Sequence, residues 1–396
     1  MYSKKPSFMA TMNNNIRPCR LNTGANKSLL PELLFSIHLC LVQMSDAWPS
    51  SSNDEQQTSE SFQTCTDLTK GQHETEMFEG EETEIPKRFN SCPKNPGHKH
   101  FIPITKFKMT DLPRGYRDNV LYEFIKATAD RTVRIKVQKV SPHRPKFWPN
   151  TKDEYPFCNA KDDACMRMGT GEIKVYKFID GCGYNGRGRN YNFLSGDKYE
   201  REYKTCPCEK CQQSDRPKTT WWEIFIHTAA HVVFDDIEAS HTTFRLFYDD
   251  HDSSSSQVNL GDVTVESINV EKDKSKLKCV TCDEELGDRL YELMRHFCEL
   301  WKKVKDKYKK KSKFTFIVSH PHGCTKQVSV GEWVDNHKFG DYSDTYDLTK
   351  LTYTTSTCPG SSGAAVHCIG FGTGHFHSGT LGKINYSGVG HYMKKV

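Results

Sequence analysis

The sequence predicts an all-β fold, a barrel or sandwich of short antiparallel strands preceded by a low-order leader. Three observations predict it. Several segments alternate apolar and polar residues over strand lengths, with turn-rich joints between them. Aromatic residues make up 11 %, too many for a chain disordered throughout. The apolar share is only 36 % of 396 residues, so part of the length lies outside the core.

Residues 1–95 read as a disordered acidic leader. Between Asp54 and Glu84 ten Asp and Glu face one Lys, and such a segment buries too little apolar surface to offset its ordering entropy. Leu29 to Met44 is the most apolar stretch, but Pro31, Glu32 and His38 interrupt it. Nothing approaches the roughly 18 apolar residues of a membrane span. Residues 96–130 form a helical lead-in, with Val120, Leu121, Phe124, Ile125 and Ala129 at helical spacing.

Residues 131–283 hold the first strand series: Arg131–Val137, Glu172–Ile179, Trp221–Thr228, Thr243–Tyr248, Val263–Val270 and Leu277–Thr281. A polar, Cys-rich insertion at 180–220 interrupts the series. Residues 284–313 read as one inserted amphipathic helix, with Leu286, Leu290, Leu293, Phe297, Leu300, Val304 and Tyr308 three or four apart. Phe314–Val318 then opens a second strand series, 314–396.

The charge balance is 55 basic against 50 acidic residues, or +5, so bulk charge gives no reason to expect nucleic-acid binding. The local basic run Lys302 to Lys313 reads as a solvated helix end. Sixteen Cys are many for a cytosolic chain and few for a disulfide scaffold. Cys206, Cys208 and Cys211 lie close enough to hold a structural Zn²⁺, but spacing supplies no fourth ligand, and disulfides or free thiols explain the cluster equally well.

Three patterns carry chemistry, in this order: Thr228-Ala-Ala-His231, Ile317-Val-Ser-His-Pro-His-Gly323, and Cys358-Pro-Gly360-Ser-Ser362-Gly. A Ser hydroxyl is a weak nucleophile until a positioned His takes its proton. Gly360 permits a tight turn that aims the N–H groups of Gly360 and Ser362 at a developing oxyanion. A carboxylate must hold the His tautomer. Asp273, at the head of an alternating strand, is the stronger candidate. Asp283 also fits, but a helix N-cap role explains it well. His320 and His322 read as structural.

These motifs resemble the chymotrypsin/trypsin-like serine proteases, closer to the high-temperature-requirement and viral-type branch. TAAH resembles the family's His motif and GSSGAAV its nucleophile turn. Met168-Gly-Thr-Gly171 resembles the first strand of barrel one, and His377-Ser378-Gly379 the strand lining the substrate cleft. The resemblance implies two six-stranded antiparallel β-barrels and a triad of His231, Asp273 and Ser362, with His231 and Ser362 on exposed turns. It also implies an oxyanion hole at Gly360 and Ser362, and substrate contacts at Ser356, His377, Ser378 and Gly379. Ser356 would floor the specificity pocket, where a neutral hydroxyl suits uncharged substrate side chains. Ser361 stands where zymogen relatives carry Asp, so the uncut chain should be competent. Val232 replaces the Cys of secreted members and points to a reduced compartment. The reading is a serine endopeptidase acting on protein or peptide substrates. The alternative is a catalytically inactive, protease-like binding module.

Overall fold

Two curled antiparallel sheets dominate the computed structural model, which describes residues 67–78, 82–160, 166–192, 195–251, 257–308, 312–369 and 372–394. The expectation for residues 1–66, including Leu29 to Met44, lies outside the described residues. Among the described residues, no helix is long and apolar enough to cross a membrane.

Among the described residues the first sheet has nine strands, where six were expected. Thr220–Thr228 lies inside it, paired on one side with the central Met166–Ile179 and on the other with Lys274–Thr281. Thr220–Thr228 is buried over almost its whole length, which explains its apolar run Trp-Trp-Glu-Ile-Phe-Ile. Ile224 and Ile226 face a core with Val133, Ile135, Ile173, Val232, Phe244 and Leu277. Trp221, on the opposite face, stacks on Phe178 at 5.2 Å. Burying side chains of this size contributes roughly 2 kcal/mol each before entropy is counted, so this strand anchors the sheet, and its C-terminal end delivers His231.

The second sheet has ten strands. Its backbone is the chain of pairings Phe314–Ser319 with Gln327–Asp341, then Tyr346–Tyr353, Ile384–Ser387 and His377–Leu381. Its packing centres on Ile317, Leu351, Tyr353, Ala364 and Val366.

The long helix covers Glu284–Lys307. Asp283 caps it, its carboxylate accepting from Leu286 N at 3.1 Å. Gly287 is required by packing: a Cβ there would lie 2.2 Å from Trp222 Cδ2. The buried residues Leu300 and Val304 pack with Leu121, Phe124 and Ile125 of the helix Asn119–Asp130. The helix therefore cements the lead-in to the strands instead of standing free.

The last part of the expected leader is folded. Strands Gln72–His73 and Glu76–Phe78 join the second and first sheets, and Ile85–Asn90 is a helix. Composition misleads here because the acidic residues have partners far away in the chain. Glu74 pairs with Lys94, Glu76 with Arg88, and Glu82 with Arg134 and Lys136.

Candidate active site

His231 follows the last residue of Thr220–Thr228 through a turn that leaves room only for Ala229 and Ala230, both fully buried. Thr228 Oγ1 anchors the turn by donating to Thr170 O at 2.8 Å. Asp273 sits just before the strand Lys274–Thr281 with φ +51°, a left-handed conformation that Asp tolerates better than bulkier residues. That twist points its carboxylate back at His231. It accepts from His231 N at 3.1 Å, and its Oδ2 lies 2.9 Å from His231 Nδ1. Ser378 Oγ donates to the same Oδ2 at 2.6 Å. Burial works against the carboxylate's charge, but the His231 ring outweighs it and holds Asp273 well below the usual carboxylate range. Asp283 is occupied as the helix cap described above.

On the other side of the ring, His231 Nε2 lies 2.8 Å from Ser362 Oγ. With Nδ1–H donated to Asp273, Nε2 is the free acceptor for the Ser362 hydroxyl proton. The turn that carries Ser362 is fixed by close approach. Gly360 has φ +93°, and a Cβ there would meet His320 O at 2.6 Å and His322 N at 2.7 Å. Thr170 N donates to Ser362 O, and Thr170 Oγ1 donates to Gly360 O, each at 2.8 Å. Thus the Met168–Gly171 segment braces the Gly360–Ser362 turn from the first sheet. Ser361 lies in a hydroxyl network with Ser319 and Cys358 N, with no carboxylate in it.

The N–H groups of Gly360 and Ser362 converge on one acceptor, the backbone carbonyl of Glu74, at 2.7 and 3.2 Å. Gln72–His73 pairs antiparallel with His377–Leu381, with His73 opposite Gly379. The chain's own leader thus lies along the strand expected to hold substrate. His73 packs on His231, ring centroids 4.6 Å apart, and burial pushes its ring pKa down to about 3. This corrects the expectation of exposed catalytic turns: His231 and Ser362 are both 0 % exposed because the leader covers them. In the uncut chain His231, Asp273 and Ser362 stand in contact, and the Glu74 carbonyl lies on the Gly360 and Ser362 N–H groups beside them.

Ser356 meets the neighbouring strand through its backbone. Its carbonyl accepts from Ser329 Oγ at 2.8 Å. The groups that meet the Glu74 carboxylate are His377 Nε2, at 2.7 Å, and Lys94 Nζ. Lys94 also donates to Thr357 Oγ1 at 3.1 Å and Asn385 Oδ1 at 2.9 Å. Burial lowers the His377 pKa against the pull of Glu74, and Tyr353 Oη lies 2.6 Å from its Nδ1 while its Nε2 faces the carboxylate. Burial would raise the Glu74 carboxyl, but the His377 hydrogen bond and Lys94 bring it down to about 2. The Glu74 carboxylate thus ends on one cation and one buried imidazole, whereas the sequence led to the expectation of uncharged side chains here. The sequence offered no signal for Lys94, which comes from the supposed leader.

Two groups of metal-ligand type stand outside the triad. Cys206, Cys208 and Cys211 gather with Cys282, and Cys92 and His98 gather with His322 and Cys358. In each group the ligand atoms lie within 4.8 Å of one another. The spacing Cys279-Val-Thr-Cys282 was the overlooked signal for the fourth thiol of the first group.

The chain matches no protein-family model and no curated protein sequence. Among solved structures it is similar to the HtrA-type protease AlgW with decapeptide: 12 % identity, 69 % of this chain, 63 % of that chain, TM-score 0.32. It is also similar to the active form of the Rv3671c protease from M. tuberculosis: 12 % identity, 70 % and 82 % coverage, TM-score 0.31. The chain spans less than two thirds of AlgW. Likenesses this distant carry no weight for activity.

Proposed function

We propose that this chain is a serine endopeptidase that cleaves peptide bonds through an acyl-enzyme on Ser362. One observation carries the reading. A nucleophile–base contact of 2.8 Å and a base–carboxylate contact of 2.9 Å meet beside two N–H donors that already hold a peptide carbonyl. Ser362 Oγ attacks the carbonyl carbon while His231 Nε2 takes its proton. Asp273 holds the Nδ1–H tautomer and stabilises the imidazolium. Gly360 N–H and Ser362 N–H hold the oxyanion, a contribution of roughly 3 kcal/mol per donor in such sites. His231 then gives the proton to the leaving amine, and water completes the hydrolysis by the same relay. Ser378 positions Asp273, and the strand from His377 through Gly379 pairs with the substrate backbone.

The test is digestion of an unfolded protein, with the fragments read by mass spectrometry. Internal cuts made by the native chain and lost in Ser362→Ala are expected. Binding without cleavage would favour the inactive-module alternative.

We further propose that Cys206, Cys208, Cys211 and Cys282 hold one structural zinc ion. The donor set is four thiols, and Cys208 Sγ lies 3.6 Å from Cys282 Sγ, close to the ligand separations of a tetrahedral site. The group lies beside the Phe178–Trp221 stack, away from the triad. When bound, the ion would tie the insertion to the end of Lys274–Thr281. Cys282→Ser is therefore expected to remove one zinc equivalent and lower the melting temperature while kcat of the folded fraction stays unchanged. Equal zinc content in the two proteins would contradict this.

A further inference from the structure

The geometry points to an acid-directed specificity pocket built by His377 and Lys94, with the bond between Glu74 and Thr75 of the same chain as its first substrate. This rests on the protease reading above and names its substrate class. Three independent features place residues 72–76 as a substrate is placed. The backbone of Gln72–His73 is paired antiparallel to His377–Leu381. The carbonyl oxygen of Glu74 receives both the Gly360 and Ser362 N–H groups. The Glu74 side chain, 2 % exposed, ends on His377 and Lys94. Past the carbonyl, Glu76–Phe78 pairs with Met166–Met168 of the first sheet, so the chain is held on both sides of the bond.

The pocket is selective because its charge is fixed. Lys94 is tied to Thr357 and Asn385, and Asn385 Nδ2 is itself bound to Thr355 O at 2.7 Å. A substrate Lys or Arg would place its charge beside that of Lys94, and an apolar residue would leave Lys94 and His377 without their carboxylate partner.

Cleavage follows the atoms already in place. Ser362 Oγ bonds to the Glu74 carbonyl carbon, and the C–N bond to Thr75 breaks. The Ser362 proton passes through His231 to the Thr75 nitrogen, which becomes a new α-amino group. Water then splits the ester, leaving Glu74 with a carboxylate and Ser362 with its hydroxyl restored. Departure of residues 1–74 opens the cleft to other acidic peptides.

The experiment uses the full chain. After purification and incubation, mass spectrometry is expected to find a fragment ending at Glu74 and one beginning at Thr75. Ser362→Ala should stay intact, and Glu74→Lys should slow the cut at least ~100-fold. In parallel, a peptide with the sequence of 68–78 is compared with its Glu74→Ala counterpart. The Glu peptide should be preferred at least ~10-fold in kcat/KM, and Lys94→Ala should narrow that ratio, mainly through KM. An intact Glu74–Thr75 bond in a chain that hydrolyses these peptides overturns the proposal and leaves the protease reading standing. Failure to hydrolyse any peptide or protein overturns that reading instead.

A separate observation carries a second inference: we infer that Cys92, His98, His322 and Cys358 bind one zinc ion that staples this pocket together. Cys92 Sγ and Cys358 Sγ lie 3.5 Å apart, and His98 Nε2 lies 3.4 Å from Cys358 Sγ. His322 Nε2 is buried with no hydrogen-bond partner among the described residues, while its Nδ1 is held by Glu76 Oε2 at 2.5 Å. A carboxylate behind a ligating His is a common orienting device. Asn95 Nδ2 donates to Cys358 Sγ at 3.1 Å, as outer partners of a thiolate do. Two Cys and two His suit tetrahedral zinc. Lys94 lies between two of the ligands and Gly360 lies two residues beyond a third, so the ion would fix pocket and nucleophile turn together.

Metal analysis of the purified full chain is expected to give two zinc equivalents, one lost in Cys92→Ala and the other in Cys282→Ser. Cobalt substitution should show thiolate-to-metal absorption that weakens in each variant. Retention of both equivalents in Cys92→Ala, or a Cys92–Cys358 disulfide in the native chain, would overturn this second site.

Discussion

Ser362→Ala is expected to reduce peptide hydrolysis by at least about 10³-fold, with the fold retained. The hydroxyl makes its catalytic contact with His231 Nε2 at 2.8 Å and fills almost no volume. Losing it leaves one buried ring nitrogen without its partner, a cost of about 1–3 kcal/mol in stability. His231→Ala should be as severe for activity, since the base and the nucleophile act as one unit. The double variant should be no slower than either single one. Rates on an acidic peptide and melting temperatures of the three proteins check this. Additive losses would show that the two residues do not share a step.

Asp273→Asn should cost about 10⁴-fold in kcat. The amide can present its N–H₂ to His231 Nδ1, which favours the tautomer with the proton on Nε2 and removes the acceptor that Ser362 needs. Asp283→Ala is the counterpart, because both residues were candidates for the triad acid. It should cost about 1 kcal/mol through the lost cap on the long helix and leave kcat unchanged. The structural contrast is direct: Asp273 touches His231, and Asp283 accepts from Leu286 N. The reverse pattern of losses would move the acid to Asp283.

Asp273 shows why local sequence goes as far as it does. The triad candidates sit on short motifs whose backbone demands are local: small residues before His231, a glycine turn at Gly360, an alternating strand after Asp273. The long helix was legible for the same reason, through its apolar spacing. What escaped sequence reading depends on partners distant in the chain. Residues 72–95 read as leader because their composition is acidic, yet Glu74, Glu76 and Glu82 find Lys94, His377, Arg88, His322, Arg134 and Lys136 only after folding. Ser356 was assigned by its offset from Ser362, while the groups that meet Glu74, His377 and Lys94, come from a different strand and from the leader. His322 joins its Cys/His group from a remote element with no spacing to announce it, whereas Cys282 left a signal in the Cys279–Cys282 spacing that was passed over. Strand counts failed similarly: several pairing partners are two or three residues long and leave no period to read.

The central claim is that Ser362 is an activated nucleophile, and covalent labelling tests it most directly. The native full-length chain, after the incubation that permits processing, is treated with a fluorophosphonate and mapped by peptide mass spectrometry. The account predicts one phosphonyl group, on Ser362, absent from Ser362→Ala and strongly reduced in His231→Ala. An unlabelled Ser362 in a folded chain whose leader has been cut away, or equal labelling of the Ser362→Ala protein, would contradict it.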